Sequence, residues 1–335
     1  MKLDPIKPNE KIEKLIAKKI TNWFYENFFK GCFEILKNNT VENAQDDLRR
    51  AITTGRIFYQ DGAFYSSNGR FSNAIAKELE KIGAKYSKYR KAYLINAKNL
   101  DIEILWAIET TKAKTSAVAL AIKAYLTKQL GNITQLQKDF VIDGIVERML
   151  FDLQERVNKS IKAKKIEIIA PKIDDFKARE IAKKYTNNLD FFIKDWANEN
   201  IPKMREVVGQ MAISGKSQKD IADYIYYNYE VKTKDKAMFL ARNETGLATT
   251  SYLEAKYKQE GFTSFIWKTN LDGRERKLHK ELNGKKFRFD DPPIIYKNEK
   301  TGQEQRGLPG QTYNCRCSMI PYYDKEFLQN RKEKK

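Results

Sequence analysis

Cys315 and Cys317 flank Arg316 near the carboxyl end of the chain, and the single histidine, His279, lies a short way upstream. Thiolate and imidazole together form the ligand set that zinc prefers, so His279, Cys315 and Cys317 are the candidate metal ligands. On a strand, the period of two would put both thiols on one face and Arg316 on the other. A structural zinc site is normally closed by four protein ligands. The fourth has no obvious source, with Asp272, another carboxylate or water as the candidates. No cofactor is therefore expected. The bland reading, two packed cysteines and a hydrogen-bonded histidine, stands ahead of zinc.

The same residues could serve as a cysteine nucleophile with a histidine base, a pairing that also needs an oriented third group. A histidine accompanied by Arg274, Arg276 and Lys277 could support metal-independent RNA cleavage. Gly-x-Ser-x-Gly, a Walker loop and His-Glu-x-x-His are all absent, so hydrolases and NTPases lack their usual signatures. No catalytic residue is assigned.

The chain of 335 residues exceeds one typical domain, and 41% hydrophobic with 12% aromatic residues suffices for real cores. Sixty-three Lys and Arg against 44 Asp and Glu give +19, which favours a polyanionic neighbour or is a lysine-rich solvated surface. Three cysteines make no disulfide framework, and a reducing, cytoplasmic environment is expected. The opening Met1-Lys2-Leu3-Asp4-Pro5 has no secretory apolar region, and no run of about 18 apolar residues occurs.

The elements that must position these residues follow from periodicity. Ile12, Leu15, Ile16, Ile20, Trp23, Phe24, Phe28 and Ile35 predict a helix over 9–38, with Cys32 in its apolar series as a core residue. Arg56–Tyr59 and Ala63–Tyr65 predict a hairpin joined by Asp61-Gly62, the pair that a type I′ turn favours. A helix follows from Phe71 to Ile82, stopped by Gly83, then a short strand at Tyr93-Leu94-Ile95. Helices over 100–130 and 133–164, parted by Gly131, predict an antiparallel pair. Pro171 marks a domain boundary, giving a mainly helical domain over 1–170 and a second over 171–324, with a basic flexible tail at 325–335.

The second half predicts helices over 174–213, from Ser217 to Tyr227 behind a capping box, and from Lys234 to Gln259. Ser217–Ala222 could also open a DNA-reading helix-turn-helix, but Met238, Phe239 and Leu240 favour a packed helical pair. Strands are predicted at Phe265–Trp267, Phe287–Phe289 and from Cys315 to Ile320, with a Pro/Gly-rich loop over 291–310. No heptad pattern sets an oligomeric state.

Taken in order, Ala241-Arg242-Asn243-Glu244-Thr245, Trp267-Lys268-Thr269, Leu271-Asp272-Gly273-Arg274, His279 to Gly284, Leu308-Pro309-Gly310 and Asn314-Cys315-Arg316-Cys317 resemble the bacteriophage Mu F-like minor capsid, or head-morphogenesis, family over about 175–322. The family pattern of Arg-Thr-Glu, then Asp-x-Arg-Thr-Cys-x-x-Cys, then His-x-x-Cys-Arg-Cys falls on Arg242 and Glu244, on Asp272 and Arg274, and on Cys315, Arg316 and Cys317. Gly284, Pro309 and Gly310 complete the match. Arg276, His279 and Thr312 stand where two cysteines and a histidine of that pattern would be.

The resemblance implies an α+β protein, with a helical amino-terminal domain bearing a small β-hairpin and a helix-plus-small-sheet carboxyl-terminal domain. It implies a non-enzymatic minor capsid protein inside the phage head, made in the host cytoplasm, with portal and capsid proteins as partners. Packaged DNA would be met through phosphate contacts without base reading. The rivals are a nuclease or cysteine-dependent hydrolase using His279, and a free DNA-binding protein. Arg242 and Glu244, two apart on a helix, cannot face each other. One of them is expected to cross to Asp272 and Arg274 and tie helix to sheet.

Overall fold

The computed structural model describes residues 3–38, 48–53, 55–323 and 327–329. The fold is α+β and mainly helical, with small antiparallel sheets, as expected. Helix α1 (Glu10–Phe24) passes through a π-turn (Tyr25–Phe29) into α2 (Lys30–Asn38), so the expected helix exists with one widened turn. Cys32 is fully buried on it and its thiol donates to the Phe28 carbonyl at 3.2 Å. Burial pushes that thiol up to about 12.

After α3 (Leu48–Thr53), strands β1 (Ile57–Gln60) and β2 (Ala63–Ser66) form the predicted hairpin. Asp61 and Gly62 have φ of 48° and 74°, the two left-handed residues that a type I′ turn demands. Helix α4 (Asn73–Lys81) is capped by Ser72 and closed at Gly83, after which β3 (Lys85–Ser87) and β4 (Ala92–Leu94) complete a sheet of order β1-β2-β4-β3. Phe64 and Tyr93, paired across β2 and β4, pack one face of this sheet onto Ile52, Leu79 and Ile104.

Helix α5 (Ile102–Gly131) matches expectation. The expected helix 133–164 does not form as one piece. It is divided into α6 (Ile133–Gln137) and α7 (Asp143–Ala163), with Phe140 and Ile142 of the intervening turn both buried. Helix α8 (Asp175–Ile213) is unbroken despite Pro202, and α9 (Gln218–Ile225) begins with the predicted capping box between Ser217 and Asp220. A π-turn (Tyr226–Glu230) then carries the chain straight into α10 (Val231–Gln259). The two expected helices are thus joined without a non-helical turn between them, so the helix-turn-helix that could have opened at Ser217 does not form there.

Strand β5 (Ser264–Lys268) is followed by α11 (Lys277–Leu282), β6 (Lys286–Arg288), the hairpin β7 (Ile294–Lys297) and β8 (Glu304–Arg306), and β9 (Ser318–Pro321). β5 is the centre of a sheet of order β6-β5-β9, with Phe265 and Trp267 fully buried. The β7–β8 hairpin occupies the stretch expected to be loop. The final strand begins at Ser318, after the two cysteines rather than at them.

By density of contacts the chain forms two compact units, one of residues 1–20, 140–193 and 234–335, the other of residues 21–139 and 194–233. Each is assembled from separated stretches, a different partition from the contiguous division at 170/171. Of the expected tail, residues 325, 326 and 330–335 lie outside the described residues, whereas Phe327 is buried and stacked on Phe262 at 4.3 Å.

The segment around Pro171 is not a free linker. The carboxylate of Glu260 accepts the backbone N–H of Ile169 at 2.9 Å and of Ala170 at 3.3 Å. Lys256, one turn earlier on α10, donates to Glu260 at 2.7 Å and to the Ala170 carbonyl, and both side chains are wholly buried.

Candidate metal centre

The pairing of β5 with β9 sets Trp267 opposite Met319 and Lys268 opposite Ser318, so the residues just before β9 emerge beside those just after β5. There α11 presents His279, 2% exposed, and the turn before β9 presents Cys315 and Cys317. Asn314, at φ 53°, bends the chain into that turn. His279 Nδ1 stands 3.5 Å from the Cys315 sulfur and 3.6 Å from that of Cys317. All three ligand atoms lie within 4.8 Å of one another.

The other ring nitrogen, Nε2, is 3.0 Å from the Ile295 carbonyl. A carbonyl only accepts, so Nε2 carries a proton toward it and Nδ1 is the ring atom that faces the sulfurs. Trp267 packs edge-on to the imidazole at 5.2 Å. Its indole N–H has no hydrogen-bond partner of its own, yet lies near enough to the Cys317 sulfur to favour the thiolate there. Of the two thiols, Cys315 is held as thiolate by hydrogen bonding from Cys317 and then from His279, and the Cys317 backbone N–H points at it from 3.4 Å. The same contact pushes the Cys317 thiol up.

This donor set fits zinc. With zinc–sulfur bonds of about 2.3 Å and zinc–nitrogen bonds of about 2.0–2.1 Å, a tetrahedral ion separates nitrogen from sulfur by about 3.5–3.6 Å. The two observed separations equal that edge. The Nε2–H bond to a backbone carbonyl is the outer support that ligating histidines use to fix ring orientation. A pocket of about 90 Å³ reaches all three side chains and is rimmed by Arg242, Arg274, Arg276 and Arg316 together with Asp272 and Glu275. Without a metal, the same Cys315 thiolate beside an imidazole is equipped for thiol chemistry.

Asp272 does not join the cluster. Its carboxylate takes Arg274 at 2.7 Å and Asn270 at 3.0 Å, with Arg316 at 3.7 Å, and these hydrogen bonds, Arg274's first, hold it down to about 2. Arg316 thus reaches Asp272, and because the cysteines precede the strand the alternation expected of them does not apply. The expected crossing of Arg242 or Glu244 to Asp272 and Arg274 is not seen. Arg242 reaches Glu13 on α1 at 3.6 Å, and Glu244 is bound by the amides of Asn188 at 2.7 Å and Asn243 at 2.8 Å, beside a groove of about 680 Å³ between α8 and α10.

The tie that sequence reading missed is Asn243, whose side-chain oxygen accepts the Asn314 N–H at 3.1 Å and so joins α10 to the cysteine turn. Ile295 was missed as well, because any residue can offer a carbonyl. Arg276 and Thr312, two positions that depart from the ligand pattern, meet each other at 3.4 Å. Where two ligands would have stood, a guanidinium–hydroxyl contact stands instead.

Gly284 has φ of 78° and its N–H donates to the Trp267 carbonyl at 2.8 Å, closing α11 onto β5. Pro309 and Gly310 pack against α10, where Thr250 donates to the Pro309 carbonyl at 2.6 Å. A Cβ at Gly310 would sit 2.4 Å from the Thr250 hydroxyl, so only glycine fits.

Residues 199–320 match the family described as Phage Mu protein F like protein, the similarity that the motifs implied. An uncharacterized protein of Haemophilus influenzae is 29% identical over 132 residues, covering 39% of this chain and 27% of that protein. No solved structure matches the chain.

Proposed function

We propose that the chain is a structural, low-copy component of a phage head, a minor capsid protein that works in head assembly beside the portal and packaged DNA. The observation that carries this reading is the Mu F-like match over residues 199–320. The local geometry supports it, since Gly284, Pro309 and Gly310 serve close packing, and Asp272, Arg274 and Arg316 are engaged with one another. No helix among the described residues is long and apolar enough to cross a membrane. Mass spectrometry of purified virions tests the proposal. The chain should be found in particles at a few copies, and its absence from both particles and assembly intermediates would overturn the reading.

Within that role, His279, Cys315 and Cys317 hold a structural zinc ion that fastens α11 to the turn before β9. The convergence of three ligand atoms within 4.8 Å and the Nε2–H bond to the Ile295 carbonyl support this. Such an ion would supply a cross-link between α11 and the cysteine turn. Elemental analysis of protein purified without chelator should give about one zinc per chain, lost in Cys317→Ser; metal-free protein that takes up no zinc would refute it. The enzymatic rival predicts that His279→Ala abolishes a turnover measurable in the wild type. The structural reading predicts no turnover to lose.

A further inference from the structure

From Lys81 to Leu100 the chain carries six Lys or Arg, three Tyr and not one Asp or Glu. The centre of this stretch is the tip of the β3–β4 hairpin, Lys88-Tyr89-Arg90-Lys91, between the paired residues Ser87 and Ala92. All four side chains are exposed, and Tyr89 is 97% exposed, the most exposed of the large apolar or aromatic side chains among the described residues. Among the described residues no carboxylate pairs with Lys85, Lys88, Arg90 or Lys91. Burying none of its surface, Tyr89 gains nothing from the fold, so its position is not explained by packing.

The tip is nevertheless firmly carried. Lys91 adopts φ 48°, and the Arg90 backbone N–H donates to the Ser87 hydroxyl at 3.2 Å. Beneath it, Tyr86 and Tyr93 pair across the strands with rings 5.1 Å apart, and Phe71 packs on Tyr93 at 4.9 Å. Tyr93 is part of the buried core that includes Phe64, Leu79 and Ile104. A loop set on a rigid scaffold and carrying three unpaired cations around a free aromatic ring is built for contact with something outside the chain.

We propose that this hairpin tip is a nucleic-acid contact, in which Lys88, Arg90 and Lys91 hold the phosphates of a DNA strand and Tyr89 stacks on an exposed base. The cations suit any polyanion, but the aromatic at the apex suits a base, since every base offers a π-face. A membrane surface is the poorer match, because the tip carries no aliphatic side chain to enter the acyl region. Nothing in the site reads base edges, so binding is non-specific in sequence and steeply dependent on salt.

Fluorescence anisotropy of the full-length protein with labelled single-stranded and duplex 20-mers, titrated over salt, tests this. The triple variant Lys88→Gln, Arg90→Gln, Lys91→Gln should weaken binding at least tenfold at low salt and reduce the log–log salt slope by about 2–3. Tyr89→Ala should weaken single-strand binding by about tenfold and duplex binding less. The control variant Lys280→Gln, Lys285→Gln, Lys300→Gln removes the same charge from exposed positions elsewhere and should change affinity by less than about threefold.

The proposal is overturned if the wild type binds neither DNA, if the two triple variants weaken binding equally, or if anionic phosphatidylglycerol vesicles are bound and DNA is not. The contact stands on its own residues. Its failure would leave the head reading in place, because incorporation into particles is measured separately.

Discussion

Removing one member of the buried Lys256–Glu260 pair should expose how tightly the 166–171 segment is fixed. In Glu260→Ala, the Lys256 ammonium keeps the Ala170 carbonyl but loses its counter-charge at zero exposure, and the N–H groups of Ile169 and Ala170 lose their acceptor. Breaking a buried pair costs about 3–5 kcal/mol, and each orphaned buried donor about 1–3 kcal/mol. These terms overlap, because the segment can turn its amides to water, so about 5 kcal/mol is expected.

Lys256→Met should cost less, about 2–3 kcal/mol, because the carboxylate left behind still accepts two backbone N–H groups. Combining Lys256→Met with Glu260→Gln replaces both charges while an amide oxygen remains to accept. The pair should therefore lose less than the sum of its single changes by about 2 kcal/mol. Urea unfolding of wild type, Glu260→Ala, Lys256→Met, Glu260→Gln and the double variant gives these quantities from midpoints and slopes, the additivity being judged against Lys256→Met and Glu260→Gln. Strict additivity, within about 0.5 kcal/mol, would refute the reasoning, as would a Glu260→Ala variant within about 1 kcal/mol of wild type.

Gly310→Ala must accept φ of 94° and a 2.4 Å approach to the Thr250 hydroxyl, so a loss of about 2–4 kcal/mol is expected in the same assay. Asp272 has its folded-state pKa lowered from 3.8 to about 2 by its Arg274 hydrogen bond first. Its contribution is thus present above about pH 4 and lost as pH falls through about 2. Asp272→Asn should flatten the acid limb of the stability profile in that window, as followed by circular dichroism. Cys32, with its thiol pushed up to about 12 by burial, should resist a thiol-specific chromogenic reagent at neutral pH until denaturant is added.

Much of the fold was written in the periodicity. The α1–α2 series, the Asp61-Gly62 turn and the Ser217–Asp220 capping box each carried a local signal strong enough to survive tertiary context. The join of α9 to α10 did not, because a π-turn absorbs a phase shift in the apolar pattern that reads as a break between two helices. The β7–β8 hairpin was invisible for another reason. Its strands expose Tyr296, Lys297, Glu304 and Arg306, so no alternation of apolar residues marks them, and the neighbouring prolines and glycines read as loop.

At the candidate centre the ligand types were legible and their convergence was not. His279 and the cysteines are brought together by the β5–β9 register, a long-range pairing that local spacing does not encode. Asn243 was passed over as the odd residue of the Arg-Thr-Glu pattern, although its amide is what reaches the Asn314 backbone.

The interleaved make-up of the two units has a consequence for synthesis. Residues 1–20 belong with residues 140–193 and 234–335, and Glu13 meets Arg242 only after more than two-thirds of the chain has been translated. At about 5–20 residues per second, Glu13, on the helix whose Ile12 and Ile16 end up buried, emerges from the ribosome roughly 10–45 s before Arg242. During that interval the nascent chain offers a sticky amphipathic helix to anything nearby. Truncation before residue 234 would make the interval permanent, leaving the start of α1 dependent on a chaperone or prone to aggregate.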